Sequence, residues 1–158
     1  VVAHKCFVSW SGEAPTLPAG PSTTNCTYYP KPPKVKDAAV LITEKGDGAA
    51  FEVINDKEGR FTWKGIYVFV IDYDGTMLAR SFRTDKVVGK NFLEWKDKSD
   101  PPKYPIQEMI VLAKTKGEGW VEYMYPKPDG DYKVSSKKIS YIQAVPGRNM
   151  FTGAGIYE

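Results

Sequence analysis

The sequence predicts an α+β domain in which helices pack on an antiparallel sheet. Three observations lead there. From Gly65 onward, runs of aromatic and β-branched residues alternate with turn signals. These runs follow one another through short connections, and consecutive strands joined that way pair antiparallel. Two other stretches, 35–45 and 106–115, space their apolar residues as a helix does.

The elements are expected in this order. Residues 1–34 carry Pro15, Pro18, Pro21, Pro30, Pro32 and Pro33, half of the twelve prolines in the chain. Proline fixes φ and removes a backbone donor, so this segment reads as an extended or looped N-terminal extension. In Val35–Lys45, Val35, Ala38, Ala39, Leu41 and Ile42 form an apolar helical face that Gly46 and Gly48 interrupt, with Asp47 as a candidate cap. Residues 49–55 make a second short helix burying Ala50, Phe51 and Ile54, and 56–59 make a turn. Ile66–Asp72 lacks any breaker and reads as an inner strand. Asp74-Gly75 turns the chain into a second strand, Met77–Phe82. A link and a polar loop over 94–103 lead to the helix 106–115, whose Ile106, Met109, Ile110 and Ala113 share a face and which Gly117 stops. Strands over 119–125, 137–145 and 150–157 complete a sheet of about five.

Composition narrows the function. The chain has 158 residues, 42% hydrophobic and 26% charged, as for an ordinary globular domain with one core. Its net charge of +3 comes from 22 basic and 19 acidic residues scattered along the chain. Nucleic-acid binding needs clustered cations and is not expected. No apolar run approaches the roughly 20 residues of a membrane span. The chain opens at Val1 without a Met, consistent with removal of an upstream segment. Cys6 and Cys26, the only cysteines, both fall in the N-terminal segment. A disulfide between them would tie that segment down and imply an oxidising compartment; two unpaired thiols are the alternative. The single histidine, His4, and the absence of a paired-cysteine motif speak against a metal site. No cofactor is expected. The lone histidine and the lack of a phosphate loop also argue against an enzyme.

Several motifs, in order, resemble the single Cache domain family, extracytoplasmic relatives of the PAS fold. They are Gly65–Asp72, Asp74-Gly75-Thr76-Met77-Leu78-Ala79, Val88-Gly89-Lys90-Asn91, Ile106-Gln107-Glu108-Met109, Gly119-Trp120-Val121-Glu122-Tyr123, Pro126-Lys127-Pro128, Lys138-Ile139-Ser140-Tyr141 and Gly153–Tyr157. The resemblance covers 35–158. It implies a curved antiparallel sheet behind a long N-terminal helix, with a ligand pocket between the sheet and an overlying helix. It also implies an extracytoplasmic (periplasmic or secreted) sensor for signal transduction or chemotaxis. The ligand implied is a small molecule, a short organic acid or other small carboxylate, and the resemblance leaves room for a homodimer.

One departure bears on the ligand. Where the family often has Ala-His-Pro, this chain has Ala79-Arg80-Ser81. An arginine can grip a carboxylate through two parallel hydrogen bonds, so anion binding survives the change. Lys138 matches the lysine of the family's Lys-x-Ser-Tyr motif. The expected ligand-binding set is Tyr67, Arg80, Trp120, Tyr123, Tyr125, Lys138 and Tyr141, with tyrosines supplying apolar rings and hydroxyls together. Strand alternation puts Val121, Tyr123 and Tyr125 on one face and Trp120, Glu122 and Met124 on the other. The alternative reading is a non-enzymatic interaction module that uses the proline-rich arm and has a vestigial pocket.

Overall fold

The structure is a computed structural model that describes residues 31–158. Cys6, Cys26 and nearly all of the proline-rich extension lie outside the described residues. One compact unit spans Pro32–Glu158.

Helix α1 runs Pro33–Lys45 and buries Val35, Ala38, Ala39, Leu41 and Ile42 as the spacing predicts. Proline in its first turn suits a helix start, where the missing N–H would have had no partner. Gly46 ends α1 and serves as N-cap of α2, Asp47–Asn55. Asp47 is therefore the first residue of α2 rather than its cap, and its charge sits in the first turn, where the helix dipole favours it. Phe51 is half-buried rather than buried.

The sheet has six strands: β1 Thr62–Trp63, β2 Ile66–Asp72, β3 Met77–Arg80, β4 Glu118–Tyr125, β5 Ser136–Ala144 and β6 Met150–Tyr157. Two short elements exceed the sequence expectation, β1 and the helix α3, Thr84–Val87. Each is too short to show a period. Helix α4, Pro105–Lys116, ends at Gly117, whose left-handed backbone few other residues adopt without strain. The sheet order is β1-β2-β6-β5-β4, and β3 also pairs with β2. Every pairing is antiparallel.

Each face of the sheet is covered by its own apolar layer. On one face α1 and α2 pack over Val68, Val70, Ala79, Tyr141 and Ala154. Thr152 Oγ1 donates to the Val35 carbonyl at 2.9 Å and fixes α1 to β6. On the other face α4 packs over Phe69, Ile71, Val121, Ile142 and Phe151. The strands are buried on both sides, which is why Ile66–Asp72 reads as a continuous apolar run.

Candidate ligand-binding site

The site lies on the α4 face, and a bulge in β3 creates it. Ile71 pairs with Met77 but Val70 pairs with Ala79, so Leu78 is an extra residue in β3. In a regular strand Met77 and Arg80, three apart, would point to opposite faces. With the bulge, Leu78 and Ala79 both turn toward α1 and α2, while Met77 and Arg80 both line the opposite cavity. Arg80 is held by its own backbone. Its N–H donates to Asn55 Oδ1 at 2.8 Å, and its carbonyl accepts from Thr84 Oγ1 at 2.6 Å.

β5 delivers the second cation. Lys138, Ser140 and Ile142 alternate onto the cavity face, and Lys138 is only 2% exposed. A glycine on β6 makes room for it. A Cβ on Gly155 would sit 2.2 Å from Ser140 Oγ and 2.7 Å from Lys138 Cε, so only glycine leaves space for this lysine to cross the sheet. Gly153 does the same for the Phe69 ring, whose Cζ would lie 2.5 Å from an added Cβ.

The roof comes from α4 and the segment before it. Phe92, Trp95 and Ile106 close the cavity over Tyr67, Phe69, Ile71, Tyr123 and Tyr125. Trp95 meets Tyr125 edge-on at 5.5 Å and Tyr123 at 6.4 Å. Buried Asp97 anchors this roof. Its Oδ1 accepts from Ser99 Oγ at 2.6 Å and from Lys103 N at 2.8 Å, and its Oδ2 accepts from Met124 N at 2.9 Å. At the other end of the roof, Gly75 lets the hairpin touch it: a Cβ there would lie 2.8 Å from the Leu93 Cβ and 3.0 Å from its backbone.

The cavity is about 30 Å³ and opens in part to solvent. Two cations open onto it. Arg80, 3% exposed, donates from Nη1 to the Tyr125 hydroxyl at 3.0 Å, while its Nε and Nη2 have no hydrogen-bond partner. Its guanidinium lies 4.6 Å from the Tyr67 ring centre and 5.4 Å from that of Phe82. Lys138 Nζ donates to the Tyr67 hydroxyl at 3.0 Å and stands among the Tyr67, Tyr125 and Tyr157 rings at 4.5, 5.2 and 5.0 Å. Among the described residues, no ion pair joins either cation to a carboxylate. Burial, reinforced by the Arg80 charge, pushes the Lys138 ammonium down to about 7. Burial pushes the Tyr67 and Tyr123 hydroxyls up, so both remain protonated at neutral pH. The Tyr123 hydroxyl shares a 3.0 Å hydrogen bond with Ser140 Oγ.

Five of the seven residues read from the sequence come together here: Tyr67, Arg80, Tyr123, Tyr125 and Lys138. Trp120 and Tyr141 do not. Their rings meet at a tilt, with centres 5.2 Å apart, beneath α1 on the opposite face, and the Tyr141 hydroxyl bonds Glu118. Glu122 faces away too and pairs with Lys137. The sequence reading passed over Phe92 and Trp95. A lone tryptophan within a polar stretch was the available signal. Outside the cavity, beyond Tyr67, a wider surface cleft of about 330 Å³ carries Lys57, Arg83 and Lys86 beside Asp85.

An antiparallel sheet roofed by a helix and a loop over a small cavity is the architecture of PAS-like domains. A family model for the Cache domain matches residues 55–158, and the chain belongs to that family. Among solved structures, it is similar to a Cache chemosensory domain described for carboxylic acid recognition, with TM-score 0.67 and 25% identity over 78% of this chain and 88% of that one. It is also similar to a methyl-accepting chemotaxis protein of Vibrio parahaemolyticus, with TM-score 0.63 and 20% identity over 79% and 84% of the two chains. A periplasmic sensor domain of a chemotaxis protein matches with TM-score 0.62 and 22% identity over 78% and 84%. Among the described residues no helix is long and apolar enough to cross a membrane, and no cluster of side chains is suited to a metal ion.

Proposed function

We propose that residues 35–158 form an extracytoplasmic sensor domain that binds a short monocarboxylate in this cavity and passes its occupancy on as a chemotactic or related signal. One observation carries the reading: two buried cations open onto one cavity with no carboxylate beside them. A buried charge without a counterion costs several kcal/mol, and a ligand anion removes that cost. Arg80 Nε and Nη2 supply the donors a carboxylate needs. Tyr67 and Tyr125 accept from the cations and still carry hydroxyl protons of their own. The apolar wall of Ile71, Met77, Phe92 and Ile106 suits a short alkyl tail. None of the residues lining the cavity is acidic, so none would form an ion pair with an ammonium group. The similar Cache domain described for carboxylic acid recognition agrees with this choice of ligand.

Calorimetric titration with acetate, propionate, pyruvate and lactate tests it. Arg80→Ala should weaken each acid by about 30-fold or more, the roughly 2 kcal/mol of a charge-assisted hydrogen bond. Acetamide, isosteric but neutral, should not bind. Unchanged affinity in the variant would remove Arg80 from the site, and equal binding of acetamide would remove the charge argument.

A further inference from the structure

We propose that Lys138 captures short oxo acids covalently: while Arg80 holds the carboxylate, Lys138 Nζ adds to the ligand's carbonyl carbon and forms a reversible imine. This rests on reading the cavity as a carboxylate pocket, and it adds chemistry that simple binding does not use.

The argument begins with the neighbouring lysine on the same strand. Lys137 is exposed and paired with Glu122 at 2.9 Å and Glu158 at 2.8 Å. Lys138 has the opposite surroundings. Its amine lies inside the cavity, ringed by aromatic faces, with a tyrosine hydroxyl as its hydrogen-bond acceptor. No carboxylate stabilises its proton, and the Arg80 guanidinium opposes it from within the same cavity. A desolvated lysine beside a second cation is the arrangement that turns an ammonium into a nucleophilic amine. Burial and Arg80 push it down to about 7, so roughly half of it is free amine at neutral pH.

The remaining parts are also present. Arg80 can fix the carboxylate end of an oxo acid, which leaves the carbonyl for the amine. The Tyr67 hydroxyl, 3.0 Å from Nζ, stays protonated and can relay a proton. The Nζ lone pair forms the new C–N bond as the carbonyl π pair moves to oxygen. The nitrogen then loses its two protons, the oxygen gains both, one through Tyr67, and water leaves. Nothing is oxidised or reduced, and adding water reverses the step.

The test uses the full chain with pyruvate and cyanoborohydride at neutral pH, followed by digestion and mass mapping. Reduction only traps the imine. Lys138 should gain the mass of pyruvic acid less one water plus two hydrogens. It should do so at least about tenfold more than Lys137, whose amine lies outside the cavity and is held by two carboxylates. Excess acetate should suppress the adduct, and Lys138→Met should lack it. Equal labelling of Lys137 and Lys138 would overturn the inference. So would pyruvate binding by calorimetry without an adduct, which leaves the carboxylate reading standing. If neither acetate nor pyruvate binds, both fall. Mapping on the unaltered protein keeps the test decisive even if the variant fails to fold.

Discussion

Replacing Lys138 with methionine should make the empty protein more stable. The amine is buried and falls from its ordinary 10.5 to about 7, which withholds roughly 5 kcal/mol of folding free energy at neutral pH. Methionine fills a similar volume and carries no charge. Two losses offset the gain. The Tyr67 hydroxyl forfeits a partner, at about 1–2 kcal/mol. The ring contacts with Tyr67, Tyr125 and Tyr157 lose their cationic character, a further ~1–2 kcal/mol. A net gain of about 1–3 kcal/mol remains, or roughly 2–10 °C in Tm for a domain of this size. The sign with pH follows from proton counting. Between about pH 7 and 10.5 the unfolded chain holds a proton that the folded lysine has shed. Wild-type stability therefore rises with pH across that window, by up to about 1.4 kcal/mol per pH unit. The variant's advantage should be full at pH 7 and shrink by pH 9. Urea denaturation in carboxylate-free buffer at both values measures it. A variant less stable than wild type by the same amount at both pH values would refute the buried-cation account.

The other predictions concern the ligand and the roof. Carboxylate affinity should be full below about pH 7 and weaken above it, toward tenfold per pH unit, because binding must then return a proton to Lys138; calorimetry in two buffers of different ionisation enthalpy should detect proton uptake. Gly155→Ala places a methyl 2.2 Å from Ser140 Oγ and 2.9 Å from the Ile139 carbonyl. It should cost about 1–3 kcal/mol in denaturation and weaken acid binding, whereas unaltered binding would show that Lys138 does not need this lane. Asp97→Ala removes acceptors from Ser99, Lys103 and Met124 and should lower stability by about 2–3 kcal/mol. It should also hasten proteolysis within 94–103, a loss that saturating acetate partly restores.

Most of the fold could be read because the helices show their period and the inner strand Ile66–Asp72 shows an unbroken apolar run between turn signals. The α1 and α4 faces and the turns at Gly75 and Gly117 follow from residue type alone. The site was harder. Tyr123 and Trp120 are three apart on one strand, as are Lys138 and Tyr141, so alternation alone separates each pair. Alternation thus already sets Trp120 and Tyr141 on the face away from Tyr123 and Lys138, whatever their place in the family motifs. Arg80 is the reverse case: strict alternation from Met77 would send it to the wrong face, and only the bulge corrects this. A bulge depends on what the partner strand does and leaves no local mark in β3. Asp97 and Trp95 sit in a stretch without periodicity, where burial is decided by distant β4.

The bulge at Leu78 also makes the pocket's charge depend on where the strand is irregular. Ala79 and Arg80 are neighbours, one facing α1 and α2 and the other the cavity. Were the same residues paired as a regular strand from Met77 onward, Ala79 would enter the cavity and Arg80 would leave it, exchanging a guanidinium for a methyl while every side chain kept its identity. Ligand preference in such a domain can thus change through the position of a strand irregularity as well as through substitution, and a comparison of residue types alone would miss the change.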